Sequence, residues 1–161
     1  MSRSYQEIFG GTIVTRNPPG LRHEMICKRL HDCVRAGVAD FTSIQLLPPR
    51  SEIRLAVDTK VCPDLALTAA VTGKLWLAAE IINSDDHRAD TVVKKEIYEE
   101  LKLPRLWMID PRYDNVEVYH GTQYGLVLKS MLAGREILSE ELLPEFQLAI
   151  SELFQMPHPQ S

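Results

Sequence analysis

Acidic residues set into apolar runs constrain this chain more than any other feature. Between Pro63 and Pro111, three stretches read as strands with a carboxylate at or near one end: Pro63-Asp64-Leu65-Ala66-Leu67, Lys74-Leu75-Trp76-Leu77-Ala78-Ala79-Glu80-Ile81-Ile82, and Leu106-Trp107-Met108-Ile109-Asp110-Pro111. A carboxylate inside a sheet is costly unless its charge is offset, and a divalent metal is one thing that offsets it. This stretch is therefore the candidate active site.

Its local order is legible. Proline suits the first position of a strand because its missing N–H is not needed there, so Pro63 marks a strand start. The turn at Thr72-Gly73-Lys74 joins two strands too closely for anything but antiparallel pairing. Asp64 and Glu80 both lie several residues from that turn, so their carboxylates can approach across the pair. Like charges that close repel unless they share a cation or one is protonated. A helix is predicted from Arg88 to Leu101, closed by Leu103-Pro104. At 3.6 residues per turn, Asp90, Val93, Lys94, Ile97, Tyr98 and Leu101 fall on one side, and Lys95 falls on the other. Lys94 thus interrupts an apolar stripe and must reach a carboxylate to offset its desolvation. The strand from Arg105 to Asp110 follows a crossover helix, which implies parallel pairing and a right-handed connection.

The flanks are less informative. Residues 1–17 are polar, with one β-like piece at Thr12-Ile13-Val14 and a turn signal at Gly10-Gly11. A first helix runs from Leu21 to about Ala36, with Gly37 placed as its C-terminal cap. Glu24 lies beside its apolar stripe and reads as a solvated flank position, as His23 reads as a helix-start histidine. Ser43–Leu47 and Glu52–Val57 read as strands, and short antiparallel strands are predicted after Asn115. Glu145–Phe154 closes the fold as a strand or a short helix. One domain over 1–155 and a disordered tail over 156–161 are expected.

The chain has 161 residues, 45% hydrophobic and 25% charged, which is the composition of a soluble globular protein. No apolar run reaches the roughly 20 residues of a membrane span. The start of the sequence lacks a signal-peptide core, and the three cysteines (Cys27, Cys33, Cys62) have no zinc-ligand spacing. Both point to the cytoplasm. The net charge of -4 gives no general attraction to phosphate backbones, so any nucleic-acid binding has to be local. Around the second helix His87, Arg88, Lys94, Lys95, Lys102 and Arg105 are matched by Asp85, Asp86, Asp90, Glu96, Glu99 and Glu100, leaving no net positive patch.

Pro63-Asp64 followed by Glu80-Ile81-Ile82 resembles the PD-(D/E)XK nuclease superfamily, with Ile82 where the motif has lysine. Glu80, Asp90, Lys94 and Tyr98, then Leu103-Pro104-Arg105-Leu106-Trp107-Met108-Ile109-Asp110-Pro111, resemble the Uma family of restriction-endonuclease-like proteins. The likeness extends to His23-Glu24 after Gly20 and to the ending from Ile137-Leu138-Ser139 to Leu153-Phe154. It implies an α+β fold: a restriction-endonuclease-like mixed β-sheet core with flanking helices and an antiparallel C-terminal extension. It also implies that the motif lysine has moved to the helix, as Lys94.

By the same resemblance Asp64, Glu80 and the backbone carbonyl of Ile81 are ligands for Mg²⁺ or Mn²⁺, and Lys94 stabilises charge or positions the attacking water. Glu24 and Asp90 are possible supporting acids, although Asp90 fits equally well as a first-turn acid complementing the helix dipole. Tyr98, Trp76 and Trp107 read as core. The function implied is a metal-dependent endonuclease acting on DNA, with a homodimer as the assembly that such enzymes commonly use. Two alternatives stand beside it: a non-catalytic assembly or regulatory module of the same fold, and a hydrolase of a small phosphate-containing molecule.

Overall fold

In a computed structural model, which describes residues 3–83 and 85–156, the polar N-terminal segment is a β-hairpin. β1 (Tyr5–Phe9) and β2 (Thr12–Arg16) pair in antiparallel register around Gly10 and Gly11, whose φ angles of 55° and 86° suit residues without a side chain. Only the second strand had a sequence signal, because β1 interleaves Gln6 and Glu7 with its apolar residues. The first helix, α1 (Leu21–Val38), runs one position past Gly37, so this glycine is not its cap. It lies against Phe146, where an added Cβ would come within 2.9 Å of the phenylalanine Cβ. Close helix packing, not termination, is what that position requires.

β3 (Ile44–Leu46), β4 (Ile53–Ala56), β5 (Thr59–Val61), β6 (Leu65–Ala69) and β7 (Leu75–Ile81) follow. The predicted second helix is wound in two ways: π-helical over Ala89–Lys94 and α-helical over Lys95–Glu100, the latter α2. π-Helical turns inside helices are rare and occur often at functional sites. Beyond it come β8 (Arg105–Asp110), β9 (Asn115–Thr122), β10 (Gly125–Ala133), β11 (Ile137–Glu140), β12 (Leu143–Ala149) and α3 (Ile150–Phe154). The closing segment is therefore strand and then helix. Of the predicted tail, all but Met156 lies outside the described residues.

Three sheets form. The largest has the order β10-β9-β8-β7-β6-β3, and its single parallel pair is β7–β8, as a helical crossover between them requires. β9 and β10 are thus the continuation of the central sheet, and only the β11–β12 hairpin stands apart as a C-terminal extension. The hairpin β1–β2 joins β5 and β4 in a four-stranded sheet.

Alternation along the strands gives the central sheet two buried faces. Leu65, Leu67, Leu77, Ala79, Ile81, Trp107 and Ile109 pack with Ile26, Leu30 and Val34 of α1, and with Phe146 and Leu153. On the other face Ala78, Leu106 and Met108 meet Tyr98 and Leu103, with Val61 and Tyr119. Glu80 alternates with Ala79 and Ile81, so it enters the second face. A carboxylate there has no water to turn to.

Candidate active site

In the β6–β7 pair Leu65 lies opposite Ala79. Continued by one place, that register sets Asp64 opposite Glu80 at the same end of the strand pair, with α1 and Arg50 on the side of the one carboxylate and the crossover helix on the side of the other.

Glu80 is 2% exposed, and both of its oxygens are occupied. Lys94 approaches them at 2.7 Å (Oε1) and 2.6 Å (Oε2), and the Tyr98 hydroxyl donates to Oε2 at 2.7 Å. The helix can deliver both groups because Asp90, Lys94 and Tyr98 recur at intervals of four, and all three are buried. Val93 and Ile97, placed on the same side by a 3.6-residue count, are only partly covered, and Leu101 is exposed. Lys94 does not stop at Glu80. Its Nζ also lies 2.7 Å from Oε2 of Glu7, which accepts the Cys62 backbone N–H at 2.7 Å as well. The other Glu7 oxygen accepts from Arg16 at 2.6 Å, and Arg16 donates onward to Asp90 at 2.9 Å. Asp90 closes the chain by accepting the Asn83 N–H at 3.1 Å.

Asp64 has a different set of partners. Its Oδ2 accepts the Ile81 N–H at 2.8 Å, and its Oδ1 accepts from Arg50 at 3.1 Å. Arg50 bridges to Glu24 on α1, 2.7 Å from Oε1 and 2.9 Å from Oε2. Its backbone is left-handed, φ 56°, a conformation costly for a residue with a Cβ and kept only where the surroundings hold it. His23 places Nε2 at 3.2 Å from the Ile81 carbonyl and 3.5 Å from Asp64 Oδ1. From further along α1, His31 Nε2 reaches the Asp64 carbonyl at 2.7 Å. The helix thereby grips the strand start at which Asp64 stands.

Charge accounts for the acid-base balance. Glu7, Glu80 and Asp90 together face only Lys94 and Arg16, so the dry network has one negative charge too many. Burial, helped by Glu7, Asp64 and Asp90 against the opposing pull of Lys94, pushes the Glu80 carboxyl up to about 8. Burial opposes the charge on Lys94 too, but Glu80 and Glu7 outweigh it and hold the amine well above its ordinary range. Asp64 goes the other way: burial works against its charge, yet hydrogen bonds from His23 and the Ile81 N–H keep it below the usual carboxylate value.

A prediction follows from the sign of the Glu80 shift. The unfolded chain ionises Glu80 near 4.5 and the folded chain near 8, so the folded state binds the extra proton throughout that window. Stability from this group is complete below about pH 4.5 and is lost as pH rises to about 8, by on the order of 1 kcal/mol per pH unit. Urea unfolding from pH 5 to 8 should show the wild type losing stability relative to Glu80→Gln, which cannot titrate. Parallel curves would refute the assignment.

Of the residues singled out by sequence, Glu80 and Lys94 are in direct contact. Asp64 faces Glu80 across the strand pair but is held by other partners. Asp90 pairs with Arg16 and accepts the Asn83 N–H, so its link to Lys94 runs through Arg16 and Glu7. Glu24 is half-buried and reaches Asp64 through Arg50, and His23, at the helix start as read, is half-buried beside Asp64. Tyr98 is core, as read, but its hydroxyl serves Glu80. Glu7, Arg16 and Arg50 carried no signal of their own: a lone charge in a polar segment reads as solvated until the fold encloses it.

The donor set has the chemistry of a hard cation site: two carboxylates and the Ile81 carbonyl, all oxygen. Among the described residues no three His, Cys, Asp or Glu side chains stand close enough together to hold a metal by themselves. Each oxygen already receives a protein donor, so a cation would enter by exchange with His23, Arg50 and Lys94, for which the backbone carbonyl supplies the third ligand. On donor chemistry the residues fit.

A mixed sheet with one parallel pair, acids at the ends of two adjacent strands and a buried lysine reaching in from the crossover helix define a protein of the restriction-endonuclease-like class. Residues 3–151 match the model of the Uma2 family, described as "Putative restriction endonuclease", and the chain belongs to that family. Its fold is similar to that of a "putative nuclease belonging to DUF820" from Anabaena variabilis, with a TM-score of 0.76 and 16% sequence identity over 92% of this chain and 89% of that one. No curated protein matches the sequence. Among the described residues no helix is long and apolar enough to cross a membrane.

Proposed function

We propose that this chain is a divalent-metal-dependent nuclease that hydrolyses phosphodiester bonds in DNA, with Asp64, Glu80 and Lys94 as its catalytic residues and 1–155 as a single domain. The observation that carries this reading is the fully enclosed Lys94 ammonium on Glu80, one strand away from Asp64. A structural ion pair gains little from such burial, because desolvation offsets most of the attraction. A reacting phosphate gains much from a preorganised positive charge in a dry site.

Asp64, Glu80 and the Ile81 carbonyl would hold Mg²⁺ or Mn²⁺, which when bound polarises the phosphate and acidifies water. The chain's own groups do the rest. Lys94 places a fixed positive charge beside the carboxylates, where negative charge grows on the phosphate. Tyr98 orients Glu80, and the Ile81 N–H orients Asp64. Access comes from a groove of about 440 Å³ lined by Arg22, His23, Ile82, Asn83, Pro111 and Arg112. His23 belongs to both the groove and the Asp64 contacts, so displacing its ring opens a path from solvent to the acid.

A second reading, a non-catalytic module of the same fold, is favoured by one observation: every acid oxygen is already satisfied within the protein. Nicking of supercoiled plasmid and cleavage of single-stranded DNA in Mg²⁺ or Mn²⁺ separate the two. Cleavage by the wild type, reduced roughly a hundredfold or more in Asp64→Asn and in Lys94→Gln that remain folded by circular dichroism, is the expected result. Lys28→Ala, far out on α1 in an exposed pair with Asp32, should cleave like the wild type. No cleavage by the wild type together with no metal binding at millimolar concentration would establish the module.

A further inference from the structure

We propose that Glu7 is the positioning residue of this site: it is the standing counter-ion of Lys94, and it is what leaves Glu80 able to turn from the lysine to a divalent cation. The inference rests on the metal-dependent reading above and adds a residue from a part of the chain that none of the motifs includes.

Lys94 Nζ has carboxylate oxygens on two sides, Glu80 at 2.6 and 2.7 Å and Glu7 at 2.7 Å, and its side chain is 1% exposed. If Glu80 were its only partner, a cation that drew Glu80 away would leave an ammonium enclosed with nothing to balance it. The affinity of the cation would then be reduced by the cost of that uncompensated charge. With Glu7 in place the ammonium keeps a partner throughout.

The two acids are not interchangeable. Glu7 is 0% exposed, with Arg16 on one oxygen and both the Cys62 N–H and Lys94 on the other. Both acids stand on strands paired on both sides, so the difference lies in the side-chain partners: Glu7 is held by a guanidinium, an ammonium and a backbone N–H at once. It cannot follow a metal. Glu80 is tied only by the lysine and by one hydroxyl, and it shares its end of the sheet with Asp64 and the Ile81 carbonyl. The geometry therefore divides the work: a pinned acid keeps the lysine charged and in place, and a freer acid serves as ligand. The N-terminal hairpin, outside the central sheet, is then a working part of the site.

Calorimetric titration with Mn²⁺ alone, without nucleic acid, tests this on wild type, Glu7→Gln, Lys94→Met and the double variant. The expected result is a dissociation constant raised tenfold or more by Glu7→Gln in the wild-type background. In the Lys94→Met background, where no ammonium needs a partner, the same change should alter it by less than about threefold. If Glu7→Gln does not fold, Glu7→Asp, which keeps a negative charge in the network but draws it back from Lys94, carries the same comparison. Wild-type affinity in Glu7→Gln, or an equal loss in both backgrounds, overturns the inference, because a merely structural acid would give one or the other. A wild type that binds no Mn²⁺ overturns the metal-dependent reading and this inference together.

Discussion

Lys94→Met is expected to cost about 3–5 kcal/mol of folding stability, measured by urea unfolding at pH 8. Methionine fills nearly the same volume, so the loss comes from charge and not from a cavity. It strands Glu80 with only the Tyr98 hydroxyl and leaves Glu7 to Arg16 and the Cys62 N–H. At pH 6 the loss should be smaller, since Glu80 already takes a proton readily and a neutral carboxyl needs no cation. Glu80→Gln added to Lys94→Met should recover much of the stability, as removing both members of a buried pair costs far less than removing one. A Lys94→Met protein as stable as the wild type at both pH values would mean that the amine is not enclosed between the two acids.

The second large effect belongs to the opposite face of the sheet. Trp107 is fully buried on β8, and its ring stacks on Phe146 of β12, centroids 5.4 Å apart and planes inclined by 17°. It joins the central sheet to the C-terminal hairpin, which also rests on α1 at Gly37 and on the Arg105–Glu140 pair, and Trp107→Ala should cost about 3–5 kcal/mol. Trp107→Phe should cost much less. It keeps the stacking, and the indole N–H it removes has no acceptor among the described residues, so no hydrogen bond is given up. Thermal unfolding of both variants checks the order. Equal losses would mean that the stacking against β12 contributes little.

How much of the site was open to sequence reading depended on whether a residue's neighbours along the chain announced its surroundings. Asp64, Glu80 and Asp110 stood out because they break apolar runs, and Lys94 because it breaks an apolar helical stripe. The antiparallel pairing of the hairpin followed from turn length, and β7–β8 pairing from the crossover. Glu7 and Arg16 sit among polar residues in a segment that looked solvated, and Arg50 sits in a proline-rich turn. Nothing in those windows says that another part of the chain will cover them. The π-helical winding over Ala89–Lys94 is likewise invisible to a 3.6-residue count, and it is this segment that carries Asp90 and Lys94.

What the sequence by itself determined is the frame of the central sheet: which of its runs become strands, that the hairpin joined at Gly73 is antiparallel, where the parallel crossover falls, and that two acids and one lysine are enclosed where charge is costly. Those are consequences of local periodicity and of the price of desolvation, and both can be read along a line. What only the tertiary structure decided is which charge answers which. Glu7 on Lys94, Arg16 on Asp90 and Arg50 across Glu24 and Asp64 join residues distant in sequence. Coulomb attraction in a dry interior depends on separation in space, which the fold alone sets.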